Sequence, residues 1–234
     1  MRLLLTRPPP DGERTAAALR AHGHDVLLAP VLRVEALECA LPDRDYAGTI
    51  MTSANAARAI AGKPEYARLT ALPVFVVGHH TAGAAQAAGF RDVHCADGDR
   101  RDLVRLLRER FDVKSGPLLY LAGEDRAGDI EVPLASITIL VVYRMVKAER
   151  LPAAIEAALI KQQIDGVLHF SRRSAQAYLE CARRAGLLAQ ALEPLQFCLS
   201  DQVAQPLAMT DCVGIKIAPH PDEGALIALI DRGK

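Results

Sequence analysis

Five short stretches of small and polar residues carry the chain's most promising chemistry: Thr6-Arg7, Thr52-Ser53, Gly78-His79-His80-Thr81, Ser171-Arg172-Arg173-Ser174 and Ser200-Asp201. Each follows an apolar run and is read as a place where a helix starts. Backbone N–H groups left free there, together with the positive end of the helix dipole, favour carboxylates or phosphates. Ser and Thr add hydroxyl donors, and small side chains let a bulky ligand approach the main chain. The same residue types are ordinary helix caps, so any single stretch reads equally as a cap. Five of them at strand ends favour a binding role, since such ends line the binding edge of an open parallel sheet and capping does not require them to share one rim.

Other reactive residues are less telling. Tyr143 ends the apolar run Ile137–Val142 and admits two readings. One is a buried strand tyrosine. The other is a phenol facing a cleft, protonated at neutral pH because its ordinary pKa is about 10 and able to donate that proton to a leaving group. Adjacent His79 and His80 cannot chelate one metal together and read as exposed helix-start residues, whereas His169 sits in an apolar strand as a core histidine. Arg100-Arg101-Asp102 reads as a solvated helix start. Cys39, Cys95, Cys181, Cys198 and Cys212 form no CxxC pair and have no histidine at ligand spacing, so free buried thiols are expected and no metal site. No glycine-rich phosphate loop is present, which disfavours nucleotides.

The elements behind these residues alternate. Candidate strands are Arg2–Thr6, Asp25–Leu28, Thr49–Met51, Val74–Val77, Val93–Cys95, Leu118–Leu121, Ile137–Tyr143, Gly166–Phe170, Gln196–Leu199 and Gly214–Ala218. Several are apolar throughout, as expected of parallel strands covered on both faces. Helical stripes at Leu151–Leu159, Ala175–Ala182, Leu103–Phe111 and Leu226–Ile230 lie between them. The alternation predicts an α/β architecture with parallel sheets.

Around ten strands exceed one small sheet, and the chain divides itself. Thr52–Ala57 parallels Phe170–Ala175, and Val76–Ala82 parallels Cys198–Ala204, at similar separations. Two related half-chains follow. Val31–Leu37 and Val141–Lys147 alternate partly and carry charge, so they are expected to pair as an antiparallel tie. The division is then a discontinuous α/β domain of residues 1–33 and 145–234, with residues 34–144 inserted as a second.

Composition bounds the partners. Twenty-eight basic residues balance 28 acidic ones across 234 residues, which argues against broad nucleic-acid binding. Aromatic residues are 4% and tryptophan is absent, so platforms for stacking bases are scarce. No apolar run reaches membrane-spanning length, and the start lacks a signal peptide. A cytoplasmic monomer without membrane partners is expected.

Several of these residues, taken in order, resemble the uroporphyrinogen-III synthase family over essentially the whole chain. They are Leu5-Thr6-Arg7-Pro8, Thr52-Ser53-Ala54-Asn55-Ala56, Val77-Gly78-His79-His80-Thr81-Ala82 with Gly89, Val142-Tyr143, Phe170-Ser171 with Ser174, and Pro221–Leu226. The chain departs from the family pattern at Ser200–Ala204, which lacks the expected glycine and threonine, and at the basic pair Arg172-Arg173. The resemblance implies two flavodoxin-like parallel-sheet domains joined by a two-stranded ladder, with the active site in the interdomain cleft. It implies a cofactor-free lyase that closes the linear tetrapyrrole hydroxymethylbilane with loss of water and inversion of ring D. Tyr143 then falls on the residue that assists hydroxyl departure. Carboxylate contacts fall on Thr6, Arg7, Ser53, Ala54, Asn55, Gly78, Thr81, Ser171 and Ser174, to which charge and position add Arg172. The alternative is a non-catalytic two-domain module that binds a small anion.

Overall fold

The structure, a computed structural model, describes residues 1–125, 130 and 135–233. In chain order the elements begin β1 (Arg2–Leu5), α1 (Asp11–Ala21), β2 (Asp25–Leu28), β3 (Leu32–Ala36), β4 (Gly48–Met51), α2 (Ala54–Ile60), β5 (Val74–Val77), α3 (His79–Ala87), β6 (Val93–Ala96) and α4 (Arg100–Arg110). They continue with β7 (Leu118–Gly123), β8 (Ile137–Lys147), α5 (Ala153–Ile160), β9 (Gly166–His169), α6 (Arg172–Arg184), α7 (Leu188–Leu192), β10 (Leu195–Cys198), α8 (Asp201–Ala208), β11 (Ile215–Ile217) and α9 (Glu223–Asp231). Among the described residues no helix is long and apolar enough to cross a membrane.

The chain separates into two compact units, one of Met1–Arg33 with Val146–Lys234 and one of Val34–Met145. The first holds a five-stranded parallel sheet in the order β2-β1-β9-β10-β11. Counted within the unit, that order is 2-1-3-4-5, the flavodoxin-like winding. Its strand order reverses between β1 and β9. Leu3, Leu5, Leu168 and Phe197 pack on α1 and α9 through Leu19, Leu226 and Ile230. Ala175, Leu179, Cys198 and Leu207 form a second cluster with α6 and α8.

The second unit holds β3-β8-β7-β4-β5-β6, with β8, β7, β4, β5 and β6 parallel. Counting those five in chain order, the sheet reverses direction between β4 and β7, as doubly wound sheets do. Successive residues of β7 feed opposite faces, as strand geometry requires. Leu119 and Leu121 pack with α2 and α3, while Leu118, Tyr120 and Ala122 pack with α4 through Leu103 and Leu107.

β3 lies at the edge of this sheet beside β8. Leu37 N–H donates to Val142 O, and Ala148 N–H donates to Val31 O. Rising numbers on one strand meet falling numbers on the other, so the pair runs antiparallel, as expected of the two connectors. Val31–Leu37 is therefore a strand as well as a linker.

Candidate active site

Three strand ends, two helix starts and the middle of β8 surround a cavity of about 610 Å³ in the second unit, lined by Thr52, Ser53, Val77, Asp99, Arg100, Arg101, Tyr120, Gly123, Asp125 and Tyr143. It opens where the order of this sheet reverses, between the carboxyl ends of β4 and β7. Ligands of open α/β sheets bind at such reversal points, because adjacent connections leave on opposite faces and expose a crevice.

Tyr143 reaches the cavity through an irregularity in β8. Ala122 pairs with Val141 but Gly123 pairs with Tyr143, so Val142 is an extra residue. Up to that point Ile137 and Ile139 pack toward α4 and Leu140 and Val142 toward α2. Strict alternation would send Tyr143 to the α4 face. The bulge resets the parity, and Tyr143 and Met145 join the α2 side instead. Glu124 N–H donating to Tyr143 O at 2.9 Å closes the distorted ladder.

Gly123 completes the seat. A methyl group at that position would lie 2.6 Å from Tyr143 Cζ and 2.8 Å from its Oη, so the phenol rests directly on the glycine backbone. The ring is 9% exposed. Tyr143 is thus a buried strand tyrosine that also lines the cavity.

Across the cavity the hydroxyls of Tyr120 and Thr52 are hydrogen-bonded at 2.8 Å, either one able to donate. This bond ties the end of β4 to β7. On the remaining wall α4 begins. Asp99 caps it by accepting from the N–H groups of Arg101 and Asp102, and Asp102 reciprocates toward Asp99 N–H. The box fixes where the helix starts and hence where Arg100 and Arg101 sit. Two guanidinium groups and the positive helix end give this wall a carboxylate-binding character. Arg100 and Arg101 are the helix start the sequence suggests, and they also line the cavity. The local signal is identical in the two cases, because only the sheet brings the start of α4 to the same cavity as the bulge of β8. Tyr120 carries no signal at all in the sequence, lying in an apolar strand like any core tyrosine.

The remaining predicted residues fall in several places. Ser53 lines the cavity, and its hydroxyl accepts from Asn55 N–H as the cap of α2. Ala54 is buried, leaving only its main chain to offer. Asn55 Oδ1 accepts from Arg58, and its amide faces Met145 Sδ. Gly78 caps α3 at φ +78°, a conformation that favours glycine. Thr81 is buried in the first turn of that helix. The equivalent cap in the first unit, Ser200, has φ −161°. An extended backbone there removes the need for glycine, which accounts for its absence from Ser200–Ala204.

Thr6, Arg7, Ser171, Arg172 and Ser174 gather in the first unit at its own reversal point, the ends of β1 and β9. Two expectations change there. Thr6-Arg7 is not a helix start, since α1 begins at Asp11 after Pro8, Pro9 and Pro10. Thr6 is fully buried and donates its hydroxyl to Leu168 O at 2.8 Å, so it tethers β1 to β9 and is no free donor. Arg7 is already engaged, donating to Glu223 at 2.9 Å and Thr15 at 3.1 Å and stacking 4.7 Å over Phe170. Ser171 and Ser174 form a reciprocal capping box for α6, and Arg172 opens that helix exposed to solvent.

His169 is the expected core histidine but is only half satisfied. Gln196 donates its amide to Ala191 O and Pro194 O, so its Oε1 must accept from His169 Nε2–H at 2.9 Å. His169 Nδ1 has no partner among the described residues. All five cysteines are free, yet only Cys181 and Cys198 are buried. Burial pushes the Cys198 thiol up to about 12.

Fold and site together define a doubly wound α/β protein of two units, with a phenol and a cationic helix start at a strand-order reversal. The model of uroporphyrinogen-III synthase HemD matches residues 13–228, and the chain belongs to that family. Among solved structures it is similar to uroporphyrinogen-III synthetase from Helicobacter pylori, with a TM-score of 0.68, 17% identity and 100% of each chain covered. It is also similar to a mutant uroporphyrinogen III synthase from the extremely thermophilic bacterium Thermus thermophilus, with a TM-score of 0.54, 17% identity, and 99% of this chain and 98% of that one covered. At such identity these two likenesses speak for the fold. No curated protein matches.

Proposed function

We propose that this chain closes hydroxymethylbilane to uroporphyrinogen III and that Tyr143 is its acid. The observation that carries the reading is the re-aimed phenol of Tyr143, seated on Gly123 in a cavity at the sheet's reversal point. In this reading the Tyr143 hydroxyl donates its proton to the departing hydroxyl of the substrate. The carbon–oxygen bond breaks, water leaves, and a cationic azafulvene remains. The substituted carbon of ring D attacks that carbon, giving a spiro intermediate that reopens and closes with ring D inverted. The proton lost on closure returns to the phenolate. Arg100, Arg101 and the start of α4 hold acetate or propionate side chains beside the reacting end.

Further carboxylate contacts are proposed at Ser53, Ala54, Asn55, Gly78 and Thr81, and in the first unit at Ser171, Arg172 and Ser174. Many main-chain and hydroxyl donors suit a polyanion without giving the protein net charge. Holding the linear substrate folded back supplies much of the acceleration, because oriented reactants avoid a large entropic cost.

Tyr143→Phe tests the assignment. Loss of a positioned general acid costs about 100- to 10,000-fold in rate, so turnover falls by that order while circular dichroism and melting stay near wild type. Near-normal formation of the type III isomer by this variant removes Tyr143 from the role.

A further inference from the structure

In the second unit, His79 meets Cys95 and Asp97, which are neighbours in sequence, at the carboxyl ends of two adjacent strands. Val76 of β5 pairs with Cys95 of β6, and Val77 with Ala96. Gly78 N–H then donates to Ala96 O at 2.8 Å, locking the start of α3 against the end of β6. His79, the first residue of α3, and Asp97, just past β6, project on either side of Cys95. His79 Nδ1 lies 3.9 Å from Cys95 Sγ, and His79 Nε2 lies 3.5 Å from Asp97 Oδ1. A thiol sulfur, an imidazole nitrogen and a carboxylate oxygen all fall within 4.8 Å of one another.

We propose that His79, Cys95 and Asp97 form a binding site for a borderline-soft divalent cation of the zinc type, with at least one coordination position left to solvent. Bonds of 2.0–2.3 Å to a shared tetrahedral centre separate donor atoms by about 3.3–3.7 Å. A metal takes only one of the two ring nitrogens; with one nitrogen chosen the three donor atoms lie within 4.8 Å of one another, so rotation of the side chains by about 1 Å brings them to that spacing. Cys95 is the donor fixed by the sheet. His79 and Asp97, 86% and 85% exposed, can turn without disturbing the core. The donor set selects the metal: thiolate with imidazole suits zinc and its neighbours, and one carboxylate among them is too little for magnesium or calcium.

Coordination takes the sulfur as thiolate, so binding releases a proton to solvent and weakens as the medium is acidified. The site is separate from the Tyr143 cavity and does not depend on the cyclase reading. None of its ligands takes part in the proposed reaction.

Cobalt(II) titration of the full-length, reduced protein, followed by competition with zinc, provides the test. The wild type is expected to develop a thiolate-to-cobalt charge-transfer band saturating at one equivalent and displaced by zinc. Cys95→Ser abolishes the band, while His79→Ala and Asp97→Asn each weaken binding by about tenfold or more. His22 and His24 flank Asp231 at 2.8 and 3.0 Å in the first unit and are the competing cluster. The proposal is overturned if Cys95→Ser leaves the band unchanged, if no thiolate band forms, or if binding is lost on His22→Ala with His24→Ala and kept in the Cys95 variant.

Discussion

His169 shows how one side chain couples burial to pH. It is completely buried, so its imidazole is held neutral and its pKa is pushed down to about 4, desolvation outweighing the hydrogen bond to Gln196. The unfolded chain, with histidine near 6.5, binds the proton more readily. Stability from this residue is therefore complete above about pH 6.5 and lost as the pH falls toward about 4. A shift of this size corresponds to about 3 kcal/mol. Chemical denaturation between about pH 7 and 4 should show that loss in the wild type. His169→Gln, whose amide can also donate to Gln196, should remove most of it. An equally steep acid limb in both proteins contradicts the assignment. The core role of His169 was legible because its strand neighbours are apolar. Its unpartnered Nδ1 was not, since the partner of the other nitrogen lies on β10.

At the level of elements, the bulge in β8 and the glycine facing it position the phenol. Gly123→Ala places a methyl group against Cζ of Tyr143, so the ring must move. A displacement of about 1 Å near the chemistry can cost on the order of 100-fold in rate, and we expect a drop of that order in kcat. In a Tyr143→Phe background the same change should cost little more, because the proton donor is already gone. Independent, multiplying losses in the two variants contradict the seat.

Strands such as Leu3–Leu5 and Leu118–Leu121 were readable as buried and parallel because both faces are covered by helices. The caps Ser53, Gly78 and Ser171 were readable because capping is a local property. The bulge at Val142 was not, as nothing in Ile137-Thr138-Ile139-Leu140-Val141-Val142-Tyr143 marks where pairing slips. The part played by Arg100 and Arg101 was hidden for a related reason. The capping box that starts their helix is local, but what it faces depends on β7 and β8.

Over the whole molecule, each unit has its own hydrophobic clusters and its own reversal of strand order. Some of the predicted residues lie at the reversal, Ser53 and Tyr143 in one unit and Thr6, Ser171 and Ser174 in the other, while Gly78 and Thr81 lie beyond it at the start of α3. This follows from doubly wound topology, whatever the ligand. The chemistry is more particular: a phenol in one cavity with two guanidinium groups suits the proposed departure of a hydroxyl from a polycarboxylate. Spontaneous closure of hydroxymethylbilane gives the type I isomer, so the product itself distinguishes catalysis from binding. The purified protein should be given freshly generated hydroxymethylbilane, and the uroporphyrin isomers separated after oxidation. Predominantly type III product that rises with protein concentration is the predicted result, whereas type I alone at every concentration contradicts it.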